Sequence, residues 1–389
     1  MIPRALEAEL IKDSKEYPVL AIVGPRQSGK TTLAKYIFNN YKYISLENLN
    51  DREFAQKSPI DFLERYDYEQ GLILDEIQNV PDLLSYIQTI VDTKKRPGFY
   101  ILTGSQNFLI NQAISQTLAG RISIHTLLPL SIDEMNNAKL LLENASIHVL
   151  KGCYPGLYDT ERNFSRWYLN YTQTYVERDV RQIQNVVDLS MFQRFMILCA
   201  GRIGQILNIV SLANDLGTST KTIRQWLSIL EQSYIIFSLY PHFKNFGKRL
   251  IKSPKIYFYD TGLACSLLGI NTQEDLLNHY NYGNLFESFI ISNLNKLYFN
   301  KGLRPAIYFW RDSTGNEIDA IVEEGLRLSR IEIKSTKTIN SSLFSGLQYW
   351  NSISQTNNNL SYLVYSGDEN YQRDNINILS WKNISNILK

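Results

Sequence analysis

Gly24-Pro25-Arg26-Gln27-Ser28-Gly29-Lys30-Thr31 spells G-x-x-x-x-G-K-[ST], and the apolar run Val19–Val23 leads straight into it. The residue types suit a phosphate loop. Gly24 and Gly29 let the backbone bend so that successive amides converge on phosphate oxygens, and a following helix adds its positive N-terminus. Lys30 reaches the β- and γ-phosphates, and the Thr31 hydroxyl ligates Mg²⁺. Gly24, Pro25, Arg26, Gln27, Ser28, Gly29, Lys30, Thr31 and Thr32 are the expected nucleotide-binding set. Downstream, Leu72-Ile73-Leu74-Asp75-Glu76 is an apolar strand ending in two carboxylates. Asp75 is expected to hold Mg²⁺ through water and Glu76 to polarise the attacking water as general base. Together the two segments predict a chain that binds ATP or GTP and hydrolyses it.

A second group of chemical residues lies late in the chain. Glu317-Ile318-Asp319 is followed, thirteen residues after Asp319, by Glu332-Ile333-Lys334. This is the D…E-x-K spacing of restriction-endonuclease-like folds. A hairpin would set Asp319 beside Glu332, and their carboxylates, with the Ile333 carbonyl, could hold Mg²⁺. Lys334 shares the strand face of Glu332 and is expected to orient the attacking water. Glu287, on a preceding helix, is expected to complete the metal site.

These residues need elements to hold them. Between Val19 and Ser131 apolar strands near 19–24, 42–47, 71–76, 99–104 and 122–127 alternate with helices near 30–39, 51–66, 81–93 and 107–119. Such alternation predicts a parallel sheet covered on both faces. A mostly helical region follows. Within it Tyr168, Tyr171, Tyr175 and Arg178 recur at helical spacing, which favours a packing face over a platform for stacking bases. Residues 205–257 have the pattern of a winged helix. One helix ends at Gly217, Thr218-Ser219 turn the chain, and a second helix puts Ile223, Leu227 and Leu230 inward and Lys221, Arg224 and Gln225 outward. Lys244, Lys248, Arg249, Lys252 and Lys255 then make a basic wing suited to duplex DNA. The last segment carries strands near 306–311, 317–323 and 329–335, and an Asn-rich surface loop at 357–359. The expected domains are 1–131 (ATPase), 132–204 (helical lid or linker), 205–257 (winged helix) and 258–389 (endonuclease-like).

Composition sets few limits. The chain has 389 residues, 44% hydrophobic and 20% charged, as in ordinary globular proteins. Its net charge of +2 means that any basic surface must be local. Cys153, Cys199 and Cys265 fit neither a disulfide framework nor a zinc site. Met191–Val210, the most apolar stretch, is broken by Arg194 and Arg202 and so is not a membrane span. The N-terminus lacks the apolar core of a signal peptide, so a cytoplasmic location is expected.

GPRQSGKTT, GLILDEIQNVPDLL, YILTGSQ, LAGRISIHTLLPLS, YVERDV and the late G-N-E-I-D…I-E-I-K, in that order, resemble the bacterial and archaeal AAA-type ATPases that join a phosphate-loop domain to a C-terminal domain of unknown function. The resemblance covers essentially the whole chain. It implies an α/β fold: an additional-strand P-loop NTPase core, a helical and winged-helix region, and a restriction-endonuclease-like α/β domain. It also implies Glu76 as the catalytic carboxylate, Thr103 or Ser105 as the residue that senses the γ-phosphate, and Arg121 as an arginine finger acting in cis or across a subunit boundary of a homo-oligomer. ATP is favoured over GTP because no guanine-reading N-K-x-D element occurs, and Pro3 and Arg4 are the candidates to touch adenine. The expected function is that of an Mg²⁺-dependent ATPase acting on DNA. An ATP-gated nuclease and a protein-binding scaffold ATPase are the rivals.

Overall fold

The computed structural model of the chain describes residues 1–67, 70–105, 117–160, 162–175, 188–242, 253–353 and 360–388. They form two compact units, Met1–Leu130 with Gln232–Tyr234 and Tyr298–Arg304, and Ser131–Glu231 with Ile235–Leu297 and Pro305–Lys389.

The first unit is built on five strands: β1 (Val19–Val23), β2 (Lys42–Ser45), β3 (Leu72–Asp75), β4 (Tyr100–Gly104) and β5 (Ile122–Thr126). Their order is β2-β3-β4-β1-β5, with every neighbouring pair parallel. β4 thus stands between the strand that feeds the phosphate loop and the strand that ends in Asp75, which is the additional-strand arrangement. β1, β3 and β4 are buried along their whole length, as strands covered on both faces must be, hence their Val/Ile/Leu-rich sequences. Leu33 and Ala34 of helix Lys30–Ile37 pack with Leu10 of helix Glu7–Asp13, and with Leu6 just before it, against Leu20, Ile22, Ile73 and Ile101. The single helix expected near 51–66 is two, Leu49–Lys57 and Pro59–Arg65. Pro59 cannot continue the first because it lacks an N–H, but it fits the opening position of the second, and it holds Ser58 out of helical geometry (φ −139°, ψ 67°). The helix expected near 107–119 lies mostly outside the described residues.

In the second unit, helix Ile209–Leu216 starts where the Asn208 side chain accepts from the Ser211 amide, and it stops at left-handed Gly217 (φ 66°). Helix Thr220–Gln232 follows after a tight turn and buries Ile223, Trp226, Leu227 and Leu230, leaving Lys221, Arg224 and Gln225 exposed. An antiparallel pair, β6 (Ile236–Leu239) and β7 (Lys255–Phe258), comes next. Trp167, Tyr168, Tyr171 and Tyr175 are buried, with the Tyr154 and Tyr171 hydroxyls 2.9 Å apart, so this aromatic run is a packing face. Arg178 and most of YVERDV lie outside the described residues.

The C-terminal sheet has six strands, β8 (Ile307–Arg311), β9 (Glu317–Glu324), β10 (Arg327–Lys334), β11 (Leu360–Tyr365), β12 (Tyr371–Arg373) and β13 (Ile376–Ser380), in the order β12-β13-β11-β10-β9-β8. β9 and β10 form a hairpin, and β11 joins β10 in parallel after helix Ser345–Ile353 crosses over. Trp310, Ile318, Ile321, Leu347, Trp350, Leu363 and Ile378 fill its core. The Asn-rich loop at 357–359 is outside the described residues. No helix among those described is long and apolar enough to cross a membrane.

His148 gives this unit a pH dependence. Its Nε2 accepts from the Leu142 amide at 2.8 Å, and Nδ1 lies 3.2 Å from the Tyr158 hydroxyl. Burial, helped by the nearby Lys151 ammonium, pushes its pKa down to about 4. Between about pH 6.5 and pH 4 the unfolded chain therefore binds a proton that the fold refuses. Stability contributed at neutral pH is lost as pH falls through that window, by roughly 3 kcal/mol in full. Urea unfolding across pH 4–7 should show this loss in wild type, with a flatter profile in His148→Gln.

Candidate active site

The phosphate loop is built as its residue types require. Gly24 (φ 148°) and Gly29 (φ 96°) both take left-handed backbone conformations, and a Cβ on Gly24 would lie 2.2 Å from the Leu127 carbonyl oxygen. Gln27 is also left-handed (φ 60°), a conformation that costs an ordinary residue about 1 kcal/mol or more. Lys30 Nζ donates to the carbonyls of Gly24 (3.0 Å) and Pro25 (2.7 Å), arching back over the loop. Ser28 Oγ is buried without a hydrogen-bond partner among the described residues. A donor-rich cradle, a cationic side chain folded over it and an orphaned hydroxyl fit a bound polyphosphate.

Of the two acidic residues, Asp75 reaches the residue that follows the loop lysine. Thr31 Oγ1 donates to Asp75 Oδ1 at 2.8 Å, so the paired metal-ligand candidates touch across 44 residues of chain. Thr103, on β4, also donates to Asp75 Oδ1, while the Tyr43 hydroxyl donates to Oδ2 at 2.8 Å. Burial, with the Asp75 carboxylate second, pushes the Tyr43 phenol up to about 12, so it remains a donor. Glu76 is left-handed (φ 57°), which turns it out of the strand. Its Oε2 accepts from Ser105 Oγ at 3.2 Å and from the Gln78 amide, and that amide also donates to Ser105 Oγ at 3.3 Å. The two sensor candidates thus divide the acids between them, Thr103 on Asp75 and Ser105 on Glu76.

Arg4 and Arg121 are both engaged by other groups of the first unit. Arg4 is buried and donates to the carbonyls of Ser28 (2.7 Å) and Leu128 (2.6 Å), so it braces the loop instead of presenting itself to a base. Arg121 accompanies the start of β5, where its carbonyl accepts from the Val19 amide at 3.3 Å. The phosphate loop leaves the other end of β1, about 13 Å away at 3.3 Å per residue. The Arg121 guanidinium forks onto Asp92 instead, through Nη2 at 3.0 Å and through Nε. Tyr43, Gln78 and the bracing role of Arg4 were missed by sequence reasoning. Only Gln78, a polar side chain two residues past Glu76, carried a usable signal.

The late constellation also assembles, with a different membership. The Ile333 amide donates to Asp319 Oδ2 at 2.8 Å, and Lys334 Nζ lies 3.2 Å from Asp319 Oδ2 and 2.6 Å from Glu332 Oε2. Carboxylate oxygens of Glu287, Glu317 and Asp319 come within 4.8 Å of one another. Glu332 is not in that trio. It is held by Lys334 on one side and sits against Gly346, where a Cβ would come 2.3 Å from Oε1. Glu317 takes its place because Glu317 and Asp319 alternate onto one face of β9. Burial, opposed by Lys255, pushes Glu287 up to about 7, and burial with the Asp319 charge raises Glu332 well above the carboxylate range. For Asp319 burial pulls upward, but Lys334, Lys255 and the Ile333 amide prevail and hold it low.

Lys255, expected on a basic wing, is buried. Its Nζ lies 3.1 Å from Glu287 Oε1 and also pairs with Glu317. Lys244, Lys248, Arg249 and Lys252 lie outside the described residues.

Comparison with known proteins accords with this geometry. A family model described as "AAA domain" matches residues 16–136, and two described as domains of unknown function match 142–274 (DUF8612) and 282–384 (DUF4143). The uncharacterized protein Rv2008c of Mycobacterium tuberculosis is 30% identical over 345 residues, covering 86% of this chain and 74% of that protein. The uncharacterized protein MJ1637 of Methanocaldococcus jannaschii is 24% identical over 330 residues, covering 72% and 67%. Among solved structures, the Walker-type ATPase paby2304 of Pyrococcus abyssi is similar at 16% identity and a TM-score of 0.44, with 69% of this chain and 96% of that one covered. With the loop, the paired acids and the strand order in place, the chain belongs to the family of AAA-domain proteins that end in the DUF4143 domain, and it is an ATP hydrolase of the P-loop class.

Proposed function

We propose that the chain is an Mg²⁺-dependent ATPase whose nucleotide state governs a duplex-DNA contact made by its second unit. The observation that carries the ATPase half is the meeting of Thr31 with Asp75 beside a phosphate loop whose Lys30 is already turned inward. Mg²⁺, when bound, would supply positive charge to the transition state. Thr31 and Asp75 are the residues to hold it. Lys30 and the amides of the loop bind phosphate, Glu76 takes the proton of the attacking water, and Ser105 and Gln78 hold the Glu76 carboxylate at the strand edge. Arg121, remote from its own loop, is reserved for the site of a neighbouring copy in a homo-oligomer. The division into 1–131, 132–204, 205–257 and 258–389 is the working map of these tasks. Three buried free thiols, Cys153, Cys199 and Cys265, suit a reducing, cytoplasmic setting.

The DNA half rests on helix Thr220–Gln232. Its apolar face is buried in its own unit, and Lys221, Arg224 and Gln225 share the exposed face, as on the second helix of a helix-turn-helix. Each lysine or arginine that neutralises a phosphate adds about 0.9 to the slope of log affinity against log salt. Duplex binding followed by fluorescence anisotropy should therefore fall steeply with salt, and the Lys221→Ala/Arg224→Ala variant should lose about two units of that slope. Salt-independent binding, or none at low salt, would favour the protein-scaffold reading instead.

A further inference from the structure

The endonuclease-like motif implies a divalent cation among Glu287, Asp319 and Glu332, and the residues present do not fit one. We infer that the cation of this site is internal: the Lys255 ammonium stands where a metal would bind, and the C-terminal sheet works as a metal-free, non-cleaving module. The geometry is specific. Lys255 Nζ is 3.1 Å from Glu287 Oε1 and pairs with Glu317 as well, and those are two of the three carboxylates close enough together to share an ion. The third, Asp319, is held through Oδ2 by Lys334 at 3.2 Å and by the Ile333 amide at 2.8 Å. Glu287 accepts a further bond from the Tyr257 hydroxyl, and Glu317 pairs also with Arg311 Nη1 at 3.3 Å.

Three internal cations already face the four carboxyls. Glu287, Glu317, Asp319 and Glu332 face Lys255, Lys334 and Arg311, so a dication entering here would meet two ammonium groups at contact range. Lys255 cannot swing away cheaply. It is 3% exposed, it lies in β7 opposite Leu239, and its backbone also bridges to Ile206. A side chain so placed does structural work that an endonuclease metal would not. It fastens the strand pair behind the helix-turn-helix to the face of the C-terminal sheet, so the two move together. The sequence hides this because Lys255 reads as one more residue of a basic run.

The test uses the full chain without nucleotide, loaded with Fe²⁺ in place of Mg²⁺ and treated with ascorbate and peroxide, so that radicals cut the backbone near any bound metal. Wild type should show no cuts around 287, 319 or 332, and Mn²⁺ titration followed by electron paramagnetic resonance should find no site there. Lys255→Met, which keeps the side-chain length without the charge, should gain those cuts and bind Mn²⁺ at least tenfold more tightly, whereas Lys255→Arg should behave as wild type. Cuts at these strands in wild type would overturn the inference, as would Mg²⁺-dependent DNA cleavage abolished by Asp319→Asn. So would a folded Lys255→Met that gains no metal. If that variant does not fold, the wild-type map still decides.

Discussion

Glu76→Gln should lower the rate of phosphate release by roughly 10²–10⁴-fold while leaving ATP bound, if Glu76 is the general base proposed above. The amide keeps the size of the carboxylate, and the loop that grips phosphate is unchanged. Glu76 is well placed to serve as the base. It is turned out of the end of β3 by a left-handed backbone, and Ser105 Oγ at 3.2 Å and the Gln78 amide fix its carboxylate. Asp75 beside it is committed elsewhere, to Thr31, Thr103 and Tyr43. Single-turnover phosphate release and equilibrium ATP binding on the same preparation separate the outcomes. A variant that hydrolyses at the wild-type rate removes Glu76 from its role, and one that no longer binds ATP makes it a structural support of the loop.

Gly24→Ala should be the most damaging small change in the loop. The new methyl would fall 2.2 Å from the Leu127 carbonyl oxygen, at a backbone φ of 148° that side chains rarely adopt. That carbonyl cannot retreat freely, since the Leu127 amide is hydrogen-bonded to the Val23 carbonyl at 2.8 Å. Overpacking of this kind costs about 1–3 kcal/mol. If the loop absorbs it, ATP affinity falls by roughly 5- to 150-fold with melting little changed; if β5 absorbs it, the melting temperature falls instead. Gly120→Ala is the control, with φ 76° and nothing within 4 Å of the added carbon, and it should leave ATP affinity untouched. Equal affinity in wild type and Gly24→Ala, with equal melting, would refute the close approach.

Much of the ATPase unit was legible because its signals are local. A phosphate loop must follow a buried strand and open a helix, and an apolar run ending in Asp75-Glu76 must lie in the same sheet. What the sequence could not give were contacts set by register between distant segments. Tyr43 reaches Asp75 only because β2 pairs with β3 so that Ser45 stands beside Asp75. Arg4 reaches Ser28 only because helix Glu7–Asp13 packs under the loop helix. Arg121 lies beside Val19, at the end of β5 away from the phosphate loop, only because β5 runs parallel to β1 in this register. In the second unit, strand alternation gave the hairpin of β9 and β10 and so brought Asp319 and Glu332 together. The same alternation contained Glu317, which became visible only once Lys255 was seen to be buried. β11, β12 and β13 went unread because they follow an Asn-rich stretch with no periodic signal of their own.

The seat of Arg4 has a practical corollary. A side chain from the fourth residue ties the carbonyls of Ser28 and Leu128 together, so the grip on the triphosphate depends on the leading residues of the chain. Loss of the Arg4 side chain would weaken nucleotide capture while every strand of the sheet stayed folded.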